Sequence, residues 1–445
     1  MDKDKTIEEQ LNLTIEQVEQ KINDVYLLVD KGIIRIILAT IIGNRLGLSD
    51  QPIWLLIIAG SGGGKTMMID LISKCGPWIV PVDTLTTNTF ASGLKRDEEV
   101  SLLYKANNGV LVFKDFTGIM NMNEDGLRDI MGQLRNIFDG SFTKRTGNAA
   151  DVEWVGKVGM IAGGTIASQR KMRQFSEQGE RMINYIMNTA DSKEMAKRAL
   201  RNRKDSKKTG EELADMVAKF VNEKIQQTQS KHSSISDDIE NEMIAVADFA
   251  TRARSPVTMD KKDPSVVLFV GDREIPTRMV IMLTNIAVAL MVISDEDELS
   301  KENASIIFKT ALDSVPIERR IVLSILAKYK KATTKAIATQ LHYPTVTVRA
   351  WLSQLNALQM IKRESGGAGK GASDSWTLKD EYKEVMIKYE NIEEVDEELE
   401  EKEESYEIEN AYIKATNIED DDLLSKAKFT LDEEWPDAAP KQPEF

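Results

Sequence analysis

Two adjacent side chains, Lys65 and Thr66, close a run of small residues: Ala59-Gly60-Ser61-Gly62-Gly63-Gly64-Lys65-Thr66. A turn this rich in glycine lets successive backbone N–H groups face inward and hold phosphate oxygens. The lysine adds a point charge for the β- and γ-phosphates, and the threonine hydroxyl a ligand for Mg²⁺. The spacing fits a P-loop with alanine in place of the first glycine. It points to a bound nucleoside triphosphate, with ATP and Mg²⁺ as the expected cofactors.

Hydrolysis at such a site also needs a carboxylate. The apolar run Gly109 to Asp115 ends in Lys114-Asp115-Phe116, and Asp115 is the candidate. It fills either the metal role with no adjacent base, or the base role with Lys114 standing where a metal-holding acid would be. Glu124 or Asp129 is a candidate for a missing base.

These residues must be held by buried strands. Trp54–Gly60 is a continuous apolar run leading into the glycine turn, and a helix-like stretch follows it. Gly109–Asp115, Lys157–Thr165 and Met182–Met187 are similar runs. Short apolar runs alternating with helical stretches predict a doubly wound α/β fold with a parallel sheet. Residues 5–47 read as two helices, the second from about Asp30 to Leu46, packed on the core. Residues 191 to 300 read as helical. Within them Lys193–Lys208 holds eight Lys or Arg residues, either a solvated face or one that answers to nucleotide or DNA. Residues 316–378 read as a unit of their own. Helices are expected at Ile317–Tyr329, at Thr333–Leu341 with Thr333 or Thr334 as N-cap, and at Thr345–Leu358. A strand, a Gly-rich segment from Gly366 to Gly371 and a closing strand near Ser375–Leu378 follow, the layout of a winged helix. The expected divisions are 1–50, 51–190, 191–315, 316–380 and 381–445.

The chain has 445 residues, 42% of them hydrophobic, enough for a large core. Its net charge of −14 is unevenly spread. Residues 381–445 carry 23 acidic against 7 basic groups, a local −16; the preceding chain is nearly balanced, with 51 basic and 49 acidic. The acidic segment is expected to be largely disordered. A single cysteine, Cys75, excludes a disulfide framework and a cysteine zinc site, and two histidines argue against a histidine metal site. The most apolar N-terminal run, Gly32 to Gly43, is too short to span a membrane and contains Arg35, so a cytoplasmic protein without a membrane partner is expected.

With these residues in place the chain resembles an AAA+ ATPase, and more narrowly the minichromosome-maintenance (MCM) helicases, together with phage and mobile-element ATP-binding proteins of similar layout. The resemblance covers about residues 30–378. It implies an AAA+ P-loop core with a helical lid and a C-terminal winged helix. It places Asp115 at Walker B and Thr165 at sensor 1, where MCM proteins usually have asparagine. Arg181 matches the arginine finger that serves a neighbouring subunit, and Arg278, opening the helix Met279–Ile293, matches sensor 2. The segment from Gly140 to Lys157 matches a DNA-gripping β-hairpin with Lys144 and Arg145 at its basic tip. Further DNA contacts are expected from Arg349 on the third winged-helix helix and from Lys362, Arg363 and Lys370 on the wing. The single charge on that helix suits weak base readout or a protein contact instead. The implied activity is an ATP-dependent DNA helicase or translocase, a homo-oligomer in a hexameric ring, in phage or mobile-element replication. The alternatives are a helicase loader or DNA remodeller, and a nucleotide-switched DNA-binding regulator. The acidic tail would act in solubility, in docking replication proteins, or in autoinhibition.

Overall fold

The computed structural model describes residues 13–90, 101–146, 149–173, 180–188, 192–202, 206–228, 234–366 and 374–399. Five parallel strands form the central sheet: β1 (Trp54–Ile58), β2 (Ile79–Pro81), β3 (Gly109–Phe113), β6 (Val158–Gly164) and β7 (Ile183–Ile186). Their order is β2-β3-β6-β1-β7. Every residue of β1, β3, β6 and β7 is buried, which is why their sequences run continuously apolar rather than alternating. The antiparallel hairpin of β4 (Ser141–Thr146) and β5 (Ala149–Val155) stands beside the sheet, pinned by the buried pair Phe142 and Trp154.

Helix α1 (Ile15–Val25) starts at a capping box, in which Thr14 and Gln17 satisfy each other's backbone N–H. Helix α2 (Gly32–Leu46) is apolar on all sides and buried from Ile33 to Asn44. Its one charge, Arg35, survives burial because Glu19 accepts from it at 2.6 Å and Asn303 at 3.2 Å. Around the sheet lie α3 (Lys65–Asp70), α4 (Leu102–Lys105), α5 (Thr117–Met120), α6 (Glu124–Phe138), α7 (Ile166–Arg173), α8 (Ser192–Asn202), α9 (Ser206–Gln227) and α10 (Asp237–Arg254). Helices α11 (Thr277–Ser294) and α12 (Lys301–Asp313) complete this part. Helix α11 has the length and a mean hydropathy of 1.8 to cross a membrane. Its Met279, Leu283, Ile286, Leu290 and Ile293 are fully buried, and it lies along α2, so its apolarity is that of a core helix.

The stretch from 191 to 300 is not wholly helical. Strands β8 (Val257–Met259) and β9 (Val267–Val270) form an antiparallel hairpin between α10 and α11. Its strands are short and its turn is held by Asp260 and Asp263 side chains, so helical periodicity on either side masks it.

The C-terminal unit comprises α13 (Ile317–Lys328), β10 (Tyr329–Thr333), α14 (Thr334–Leu341), α15 (Thr345–Ala357), β11 (Ile361–Glu364) and β12 (Ser375–Leu378). The Thr333 hydroxyl accepts from Ala336 N at 3.2 Å, so Thr333 is the N-cap. The expectation of disorder from residue 381 is corrected here. Helix α16 (Asp380–Glu390) and strand β13 (Val395–Leu399) continue the fold, with β13 parallel to β10 at the edge of a β11-β12-β10-β13 sheet. Tyr382, Val385 and Met386 share one helical face that packs in the core, and Glu398 of β13 sits opposite Lys331 of β10. The remaining tail, 400–445, lies outside the described residues.

A buried ionic network joins this unit to the central sheet. Asp313, 1% exposed, accepts from Ile186 N at 2.7 Å, from Lys309 at 2.5 Å and from Arg320; Arg320 also pairs with Glu390 of α16. The Lys309 ammonium stands 4.0 Å above the Tyr185 ring. The Tyr185 hydroxyl donates to Asp30 at 2.8 Å; burial and that carboxylate hold it well above its usual range.

Candidate functional site

The register of the parallel strands decides what meets at their C-terminal edge. Ile58 of β1 is level with Gly164 of β6, and Phe113 of β3 with Ala162. Beyond the strands the pairing continues: Ala59 N donates to Gly164 O at 3.3 Å and Phe116 N to Gly163 O at 2.7 Å. The glycine turn, Thr165 and Asp115 therefore emerge side by side, with β6 between the strands that carry Lys65 and Asp115. A Cβ on Gly163 would lie 2.5 Å from the Lys114 carbonyl, so only glycine admits this close approach.

Gly62 (φ +74) and Gly64 (φ +86) hold the left-handed conformations that the turn needs. No atom lies within 4 Å of where a Cβ on Gly60 or Gly62 would sit, so the turn is open around these two residues. Gly62→Ala meets no steric obstacle and should still lower stability by about 1–2 kcal/mol through backbone strain alone. A urea midpoint equal to wild type would remove that requirement. Helix α3 is shorter than the sequence suggested, ending at Asp70.

Lys65 donates to the Ala59 carbonyl at 3.4 Å. Burial pushes its pKa down, and the charge of nearby Asp115 opposes that. Thr66 is exposed beside it. A hydroxyl with a carboxylate is a hard oxygen donor set of the kind that Mg²⁺ accepts, with phosphate and water filling the remaining positions. Among the described residues no cluster of three or more His, Cys, Asp or Glu forms an all-protein metal site.

Asp115 is exposed and accepts from Thr117 N at 2.8 Å. Lys114 pairs with Asp70 of α3 at 2.6 Å, which leaves Asp115 as the carboxylate turned to the site. Thr165 exchanges hydrogen bonds with Ser168, capping α7, and Ser168 contacts Thr117 at 3.0 Å. Ser168, Thr117 and Asp70 were not singled out from sequence; the Thr-x-x-Ser spacing was the one available signal, as a helix cap. Glu124 pairs with Arg128, and Asp129 accepts from Gln133, so both candidate bases are engaged along α6.

Arg181 and Arg278 are not brought to this edge. Arg181 precedes β7, and the Arg278 carbonyl accepts from Gln51, which precedes β1. Both thus lie at the N-terminal edge of the sheet, a strand length of about 16 Å from the Lys65 edge. There they cluster. Arg181 pairs with Asp139 at 2.9 Å, Arg278 donates to the Glu180 carbonyl at 3.1 Å, and their guanidiniums stand 5.8 and 6.0 Å from the Phe138 ring. Burial and the Arg181 charge push the Arg278 pKa down. A cavity of about 540 Å³ opens beside them, lined by Glu180, Arg254, Glu274, Ile275 and Arg278.

Of the candidate DNA contacts, Lys144 turns back to the Thr87 carbonyl and Asn88, at 3.0 and 2.7 Å. The Arg145 side chain and Lys370 lie outside the described residues. Arg363 pairs with Asp374 at 2.7 Å, and Lys362 is exposed. Arg349 is exposed; the Asp263 carboxyl of the β8–β9 turn is held below its usual range by hydrogen bonds from Ser265, with the Arg349 charge adding to them, and α15 packs against this hairpin. The chain matches no protein-family model and no curated protein sequence.

Proposed function

We propose that the chain is an ATP hydrolase of the AAA+ type, similar to MCM helicases, in which a neighbouring copy completes each site and hydrolysis drives movement on DNA in phage or mobile-element replication. The observation that carries this is the meeting of the open glycine turn, Lys65, Thr66 and Asp115 at one sheet edge, with β6 inserted between their strands. In this reading the turn's N–H groups and Lys65 bind the phosphates. Thr66 and Asp115 hold Mg²⁺, which neutralises phosphate charge when bound. Thr165 stands at the γ-phosphate end. Arg181 and Arg278, at the opposite edge, fit a neighbour's phosphates, and such head-to-tail contacts close into rings such as a hexamer. Residues 316–378 have the helix and strand order of a winged helix, and the β4–β5 hairpin is the element proposed to track DNA.

A second reading is a nucleotide-switched regulator. The lone Asp115, with Lys114 committed to Asp70, favours slow turnover, and α15 resting on the β8–β9 hairpin favours a protein contact over DNA.

Lys65→Ala tests the site. Losing a charged contact to phosphate is worth about 1.5–3 kcal/mol, so a fluorescent ATP analogue should bind roughly 10- to 100-fold more weakly. Wild-type affinity in that titration would refute the assignment.

A further inference from the structure

Ser168 is 2% exposed, and its hydroxyl is surrounded by polar groups from two segments. Thr165 Oγ1 lies 3.1 Å from it, and the Thr165 N–H donates to the Ser168 oxygen at 3.3 Å. The Ser168 N–H in turn donates to Thr165 Oγ1 at 3.2 Å, as a helix cap requires. Thr117 Oγ1, 3.0 Å away on α5, has no part in that cap. The Thr117 N–H donates to Asp115 Oδ1 at 2.8 Å. A continuous chain of polar groups therefore runs from the Asp115 carboxylate through Thr117 and Ser168 to Thr165.

The backbone holds the two segments together: Phe116 N donates to the Gly163 carbonyl at 2.7 Å, and α5 packs on α7. The oxygens are thus fixed, and only the hydroxyl hydrogens can be redirected. Each hydroxyl has one hydrogen to give and two lone pairs to fill. If Thr165 donated to Ser168, it would offer a ligand only a lone pair, which repels a phosphate oxygen. An anion in front of Thr165 selects the other direction. Thr117 then donates to Ser168, Ser168 to Thr165, and Thr165 outward. In this direction both lone pairs of Ser168 and both of Thr165 are filled, so nothing buried is left unmet. Each bond also polarises the next, which makes Thr165 a stronger donor than a threonine standing alone.

We infer that Ser168 is a positioning residue for Thr165, and that the Thr117–Ser168–Thr165 chain aims the Thr165 hydrogen at the terminal phosphate of a nucleoside triphosphate. This rests on the reading that the glycine turn binds ATP. Ser168 is buried and acts only through Thr165, by occupying the threonine's lone pairs and turning its hydrogen outward. A nucleoside diphosphate has no oxygen at that place. The hydroxyl chain is therefore the device that distinguishes triphosphate from diphosphate, from inside one chain and without a neighbour.

Titration of the full chain, in Mg²⁺, with fluorescent analogues of ADP and of non-hydrolysable ATP tests this. Wild type should prefer the triphosphate. Ser168→Ala should reduce that preference about ten-fold, the size of one hydrogen bond to a charged group, with ADP affinity within about two-fold of wild type. Thr165→Val should do the same, and the double variant should lose no more than either single one, because the two residues act as one unit. Ser168→Thr, which keeps a hydroxyl, should restore most of the preference. Ser168→Cys, a weak donor, replaces Ser168→Ala if the alanine variant does not fold. A Ser168 variant that weakens ADP and ATP alike, as a merely structural residue would, overturns the inference. So do losses that multiply in the double variant, an unchanged preference, or a wild-type chain that binds both nucleotides equally. A wild-type chain that binds neither overturns the ATP reading, and this inference with it.

Discussion

Arg181→Ala is expected to lower ATP hydrolysis by about 10³-fold while leaving nucleotide affinity near wild type. The magnitude follows from arginine fingers in other nucleotide hydrolases, where the charge stabilises the transition state and contributes little to ground-state binding. The geometry supplies the sharper test. Arg181 and Lys65 sit at opposite ends of parallel strands, so one copy cannot use both on the same phosphate. Arg181→Ala mixed with Lys65→Ala should therefore recover part of the lost activity, because some contacts pair an intact turn with an intact arginine. Hydrolysis that stays absent in mixed assemblies, or an Arg181→Ala chain with wild-type turnover, would exclude the role. The arginine must also exchange Asp139, its partner at 2.9 Å, for phosphate, so hydrolysis should depend on how closely the neighbour approaches.

Asp313→Ala is expected to destabilise the fold by about 3–5 kcal/mol, enough to unfold a marginal domain. The substitution leaves the buried Arg320 with Glu390 as its remaining carboxylate, takes Asp313 from Lys309, and leaves the Ile186 N–H without its acceptor. Removing one partner of a buried ion pair costs more than the pair contributes, because the remaining charge stays desolvated. Asp313→Asn, which keeps an acceptor for Ile186, should lose less. Urea unfolding followed by circular dichroism measures both, and a loss below about 1 kcal/mol for Asp313→Ala would show that the network relaxes into water instead.

The strands that carry the site were legible because burial on both faces leaves no polar alternation. The runs at 54–60, 109–115, 157–165 and 182–187 contain β1, β3, β6 and β7. Strand β2 was missed: three residues ending in Pro81 carry too little pattern. The helices of the C-terminal unit were readable from apolar spacing, and Thr333 as a cap from its position. Helix α16 was hidden by composition, although Tyr382, Val385, Met386 and Tyr389 already have helical spacing. Strand β13 gave no signal, since Val-Asp-Glu-Glu-Leu is held by backbone pairing with β10. At the site, Lys65, Thr66 and Asp115 were named from local sequence. The partners that fix their neighbours, Asp70 for Lys114 and Ser168 for Thr165, depend on packing between distant segments. Lys144 shows the opposite case. A basic residue in a hairpin reads as free, yet it closes onto the loop at Thr87 and Asn88.

The pairing of α2 with α11 governs how the chain comes to be folded. Each is apolar nearly all round, and α11 is the most extensive helical partner of α2. They lie at Gly32–Leu46 and Thr277–Ser294, so α2 leaves the ribosome early and waits until Ser294 has been made. Closing so long a loop is entropically costly before any contact repays it, which places the joining of the two helices late in folding. Until then α2 has its contacts with β1, β3, β6, α3 and α9, and the apolar face that α11 will cover is open to a chaperone or to aggregation.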